Sequence, residues 1–121
     1  MGVREVLFRG KRKDNGEWVY GYYVSAAARE CILQSLGCLW NDVIPDTVGQ
    51  YTGLTDKNGK KIFEDDIVCG TDAIKRGFEV YGYIDHKNGS FVIVGDVMTH
   101  YRWLDYNVEI IGNIHDNPEL I

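Results

Sequence analysis

At 121 residues the chain has the size of one domain, and a chain of that length hides about two-thirds of its unfolded surface, so neither metal nor disulfide is needed to hold it. Apolar residues at 45% and charged residues at 26% exclude an intrinsically disordered protein. A net charge of −5 weighs against a surface given over to nucleic acid.

No apolar run approaches the roughly 18 residues of a membrane span, and Met1–Glu5 lacks the apolar core of a signal peptide. Cys31, Cys38 and Cys69 contain no C-x-x-C pair, so zinc is not expected. Reduced thiols in the cytoplasm are the expectation. Many glycines and aromatics beside only two prolines point to a mainly β protein with tight turns and only short helical turns.

The first segment is basic. Arg4, Arg9, Lys11, Arg12 and Lys13 oppose only Glu5, which leaves the rest of the chain strongly acidic. Such a stretch reads either as a charged hairpin edge that resists sheet-to-sheet pairing or as a local phosphate contact. Asn15-Gly16 then joins Val6–Arg9 and its polar continuation to Trp18–Val24. Asn-Gly between strand-like runs signals a hairpin, because both central residues of a type I′ turn need φ > 0. Tyr20 and Tyr22 share one face of the second strand.

Residues 25–37 are ambiguous. Ser25, the alanines that follow and the closing Gly37 have helical propensity; the alternative is a loop over Ala26–Arg29 and a strand at Cys31–Gln34. Asn58-Gly59 separates Gln50–Leu54 from Lys61–Phe63 as a second hairpin. Asn88-Gly89 joins Phe78–Ile84 to Phe91–Val94 as a third. Phe78, Val80, Gly82 and Ile84 form its expected core face, with Tyr81 and Tyr83 on the other side. A glycine in mid-strand at position 82 implies a bend or a close backbone approach. Tyr101, Trp103 and Tyr106 crowd the segment before a last strand, Val108–Ile114, which alternates less cleanly. Asn117-Pro118-Glu119 has the form of a helix start of about one turn.

The stretch Val48-Gly49-Gln50-Tyr51-Thr52-Gly53-Leu54-Thr55-Asp56-Lys57-Asn58-Gly59-Lys60-Lys61-Ile62-Phe63-Glu64-Asp65-Asp66-Ile67-Val68 resembles the signature of the YopX family. A second similarity lies in Val108-Glu109-Ile110-Ile111-Gly112-Asn113-Ile114-His115-Asp116-Asn117-Pro118-Glu119-Leu120, and a third in the opening Arg4–Lys11. Asp65 stands where the family pattern has glycine. The resemblance implies a phage or prophage accessory protein of a bacterial cytoplasm, and a single domain over residues 1–121. Residues 1–45 would hold the N-terminal hairpin and a variable segment, and 46–121 the signature and a barrel-like part. The resemblance brings no catalytic residue with it. By analogy, the turn, the acidic corner and the long bent hairpin after it look like an SH3-like small barrel, a fold that by itself predicts no function.

Tyr51, Thr52, Gly53, Asp56, Asn58, Gly59, Glu64 and Asp66 within that signature read as structural residues. Asp56 and Asn58-Gly59 suit a turn, and lack the further acidic ligands of a calcium loop. Glu64 and Asp66 would converge on one side of an extended segment, which leaves open a metal-dependent hydrolase; backbone bonding at a turn explains them equally. His86, His100 and His115 are scattered, a Cys69–His86 pair has no support in the sequence, and no nucleophile elbow or phosphate loop occurs. No metal or cofactor is expected. The candidate binding residues are Arg4, Arg9, Lys11, Arg12, Tyr20, Tyr22, Tyr81 and Tyr83, from two chemistries. Tyr, Trp and Arg favour protein interfaces, and aromatics beside cations stack unpaired bases. The leading expectation is a non-enzymatic protein that binds a protein partner or itself; the alternative is weak single-stranded nucleic-acid binding. No membrane association is expected.

Overall fold

A computed structural model describes residues 5–34, 39–72, 79–101, 103 and 106–121. The chain divides into two compact units, Met1–Gly53 and Leu54–Ile121. Both are built from antiparallel strands, and the helical elements among the described residues are short 3₁₀ turns, Pro45–Thr47 and Pro118–Leu120 among them. The mainly β reading holds throughout.

In the first unit β1 (Phe8–Lys11), β2 (Trp18–Ala26), β3 (Arg29–Gln34), β4 (Leu39–Asp42) and β5 (Gly49–Thr55) are arranged β4-β3-β2-β1-β5. Beyond β4 the chain returns to β1: Ile44 N–H donates to Lys11 O at 2.8 Å and Lys13 N–H to Asp42 O at 2.9 Å. Alternation sends Val19 and Ile32 inward with Val43, against Phe8, Tyr23 and Val48.

Over residues 25–34 the ambiguous segment resolves as a tight turn and a strand, while residues 35–37 lie outside the described residues. β2 and β3 are joined by Ala27 and Ala28 at φ 51° and 64°, the mirror-image turn that matches strand twist. Helix propensity loses because pairing from Tyr22↔Leu33 to Ala26↔Arg29 buries Cys31 and Ile32, whereas an isolated alanine-rich turn buries nothing. Left-handed alanine is strained by about 1 kcal/mol or more. Ala28→Gly is therefore expected to stabilise the protein by about 1 kcal/mol, read as a higher urea midpoint at unchanged slope.

β5 carries the chain across the boundary and pairs beyond it with β6 (Lys61–Phe63). The second unit holds a sheet ordered β10-β9-β8-β7-β11, from β7 (Asp66–Asp72), β8 (Glu79–Lys87), β9 (Ser90–Gly95), β10 (Thr99–His100) and β11 (Tyr106–Asn113). Among the described residues the ladder runs from β10 to β11 with no pairing between those two strands. Its core contains Ile62, Val68, Val80, Ile84, Ile93, Trp103 and Val108. Val80, Gly82 and Ile84 occupy the face expected for them, while Phe78 lies outside the described residues.

Two details differ from the sequence reading. Only Asn88-Gly89 adopts φ > 0 at both residues; at 15–16 and 58–59 the glycine alone does, because those loops are longer and close through other bonds. The last strand loses its alternation because the register shifts between Ile110 and Gly112, a β-bulge. At Asn117 no side-chain cap forms. Its Oδ1 instead accepts from Asn113 N–H at 3.2 Å, which ties the end of β11 to the closing turn.

Candidate functional site

Alternation on β2 places Trp18, Tyr20 and Tyr22 on the side opposite the core residues Val19 and Tyr23. Antiparallel pairing then extends this side across three neighbours. Lys11 lies opposite Trp18 and Arg9 opposite Tyr20, and Tyr22, Leu33 and Trp40 form one row over β2, β3 and β4. The Arg9 guanidinium sits 4.5 Å from the Trp18 ring centre and the Lys11 ammonium 5.5 Å from it, a double cation–π stack. Away from that stack the face opens: Tyr20 is 45% exposed, Trp40 53% and Tyr22 60%.

At the far end of the face Arg29 donates to Asp42 Oδ1 at 2.8 Å, and the Cys31 thiol donates to the same oxygen at 3.1 Å. The Arg29 bond, with help from the thiol, holds Asp42 below the usual carboxylate range. Burial, reinforced by that carboxylate, pushes Cys31 up. A thiol that stays protonated is a weak nucleophile, so Cys31 serves packing.

The structure therefore unites Arg9, Lys11, Tyr20 and Tyr22, and adds Trp18 and Trp40. Arg9 is buried, so it supports Trp18 rather than reaching a partner. Arg12 belongs to another arrangement, a bidentate pair with Asp14 at 2.6 and 2.9 Å. Arg4 lies outside the described residues. Tyr81 and Tyr83 share a face of β8 in the second unit; the Tyr81 hydroxyl donates to Leu120 O at 2.6 Å and so fastens the C-terminal turn. Of the later aromatics, Trp103 is a core residue whose indole N–H donates to Phe91 O at 2.8 Å, and Tyr106 packs edge-on to His100.

The acidic residues of the signature are bound up in turns. Asp56 Oδ1 accepts from Asn58 and Lys60 N–H, both at 2.9 Å, and its Oδ2 from Ile110 N–H at 3.1 Å. Burial alone would push its pKa up, but the three backbone donors outweigh burial and hold it below the usual carboxylate range. Asp66, buried, accepts from Phe63 N–H at 2.8 Å across its own turn. Asp65 adopts φ 72°, the left-handed geometry that glycine provides elsewhere, and pairs with the His115 ring at 2.8 Å. Tyr51 and Thr52 are buried, and Gly53 and Gly59 take φ 87° and 82°. Half-buried Glu64 precedes this corner. Among the described residues no three His, Cys, Asp or Glu groups are placed to share a metal ion. Cys69 faces Tyr81, well along β8 from His86, so those two do not meet.

These features define a class: an antiparallel β protein in two units, with a turn-forming acidic motif and an aromatic sheet face. The model of the family described as "YopX protein" matches residues 7–121, and the chain belongs to that family. No curated protein matches the chain. Among solved structures, the crystal structure of protein EF1440 from Enterococcus faecalis is similar at 22% identity and a TM-score of 0.58, over 98% of this chain and 99% of that one. At that identity the likeness speaks for the fold. Among the described residues no helix is long and apolar enough to cross a membrane.

Proposed function

We propose that this protein is a non-enzymatic binding protein, a phage or prophage accessory factor in the bacterial cytoplasm, whose partner is another protein. The observation that carries the reading is the exposure of Tyr20, Tyr22 and Trp40 on one side of the N-terminal sheet. Large aromatics beside a fixed cation are the side chains that dominate protein interfaces, and strand pairing holds these three in register, so little ordering cost remains for binding. Free Cys31 and Cys69 fit a reducing compartment. The reading requires no cofactor.

A second reading, stacking of single-stranded nucleic acid, is favoured by the cations over Trp18. It is the weaker of the two. Arg9 is buried, Arg29 is engaged by Asp42, and a net charge of −5 opposes phosphate.

The test is affinity capture from cells carrying the phage or prophage, with wild type and with the double variant Tyr22→Ser/Trp40→Ser compared. Loss of two interface anchors weakens binding by about 30-fold or more. The expected result is a protein, or a second copy of the chain, that co-purifies with wild type and is lost with the variant at unchanged thermal stability. Equal recovery with both, or oligonucleotide binding at ~50 mM salt that fades as salt rises, would overturn the protein reading.

A further inference from the structure

The three Asn-Gly pairs are alike in sequence, and all three asparagines are exposed, yet the structure treats them differently. Intramolecular deamidation needs the backbone nitrogen of the glycine as nucleophile and the asparagine side-chain carbonyl carbon as electrophile. At 15–16 both ends are engaged: Gly16 N–H donates to Arg12 O at 2.9 Å, and Asn15 Oδ1 accepts from Glu17 N–H at 2.9 Å. At 58–59, Gly59 N–H donates to Asp56 O at 2.9 Å, Asn58 N–H to Asp56 Oδ1 at 2.9 Å, and the Asn58 amide to Glu109 Oε1 at 3.4 Å. At 88–89 the two residues are the whole loop between Lys87 and Ser90. In such a turn the hydrogen bonds belong to the flanking pair, and the N–H of the second loop residue points to solvent.

We propose that Asn88 is a site of spontaneous covalent modification, where asparagine converts to aspartate and isoaspartate while Asn15 and Asn58 are protected. The Gly89 nitrogen gives its proton to water and attacks Asn88 Cγ. The new N–Cγ bond forms, the Cγ–Nδ2 bond breaks, and ammonia leaves to give a succinimide. Water then opens the ring at either carbonyl; one opening gives aspartate, the other isoaspartate. No oxidant or reductant takes part. The isoaspartate product places one more methylene in the main chain of a two-residue turn, next to the Lys87↔Ser90 pair that sets the register of β8 and β9.

The experiment is incubation of the full chain in warm, mildly alkaline buffer, native and in urea, with peptide mass spectrometry of all three sites over time. In the native protein, modification at Asn88 should outrun that at Asn15 and Asn58 by about fivefold or more, the factor for one net backbone hydrogen bond that must first break at Gly16 and Gly59. In urea the three rates should converge. Equal native rates, a faster reaction at Asn15 or Asn58, no native reaction at any site, or an advantage for Asn88 that persists in urea would each overturn the proposal.

Discussion

Asp56→Ala is expected to destabilise the protein by on the order of 3 kcal/mol, because three part-buried hydrogen bonds from backbone N–H groups lose their shared acceptor. The carboxylate performs two tasks. Oδ1 closes the turn through Asn58 and Lys60, and Oδ2 draws in β11 at Ile110, where Lys57 N–H also donates to Val108 O at 2.9 Å. Asp56→Asn separates these tasks: its carbonyl can keep the turn, while its amide would confront the Ile110 N–H donor to donor. That variant should lose about half as much. The sign with pH follows from the depressed native pKa. The contribution is fully present above the unfolded Asp value of about 4 and is lost as pH falls through the native value. Urea titrations should therefore show the gap between wild type and Asp56→Asn narrowing on acidification. A gap that widened in acid would contradict the account.

Much of this fold was legible because its signals are local. Asn-Gly pairs marked three reversals, period-two alternation found the core side of β8, and the signature residues Asp56, Asn58 and Gly59 announced a turn. What stayed hidden depends on distant pairing. The third bond of Asp56 spans 54 residues, and nothing near it in sequence names Ile110. Trp40 joins Tyr22 only through the registers of β3 and β4, so in the sequence the aromatic face shows itself as no more than two tyrosines and a basic run. Burial separated members of that run which looked equivalent: Arg9 packs under Trp18, and Arg12 is held by Asp14. The Ala27-Ala28 turn opposed its own propensity, and a strand pairing decided it.

Gly82→Ala should be the costlier of two glycine substitutions that look alike in sequence. At Gly82 an added Cβ would overlap Val94 O and stand 3.0 Å from Ile93 Cγ2, and the obstruction is backbone of the paired strand, which cannot rotate aside. Relief requires β8 and β9 to separate where Ile84 and Ile93 complete the core. Such overpacking costs about 3 kcal/mol. At Gly53 the added Cβ meets nothing, and only the left-handed φ of 87° is strained, at about 1 kcal/mol. Paired urea melts of Gly82→Ala and Gly53→Ala should thus differ by about threefold in destabilisation. The close approach also explains why the strand carries glycine despite its low β propensity: of the bend or close backbone approach that mid-strand glycine implied, the contact with Val94 is the close approach. Equal losses at the two sites would mean that the sheet yields at Val94, and the backbone contact would not be what selects glycine at position 82.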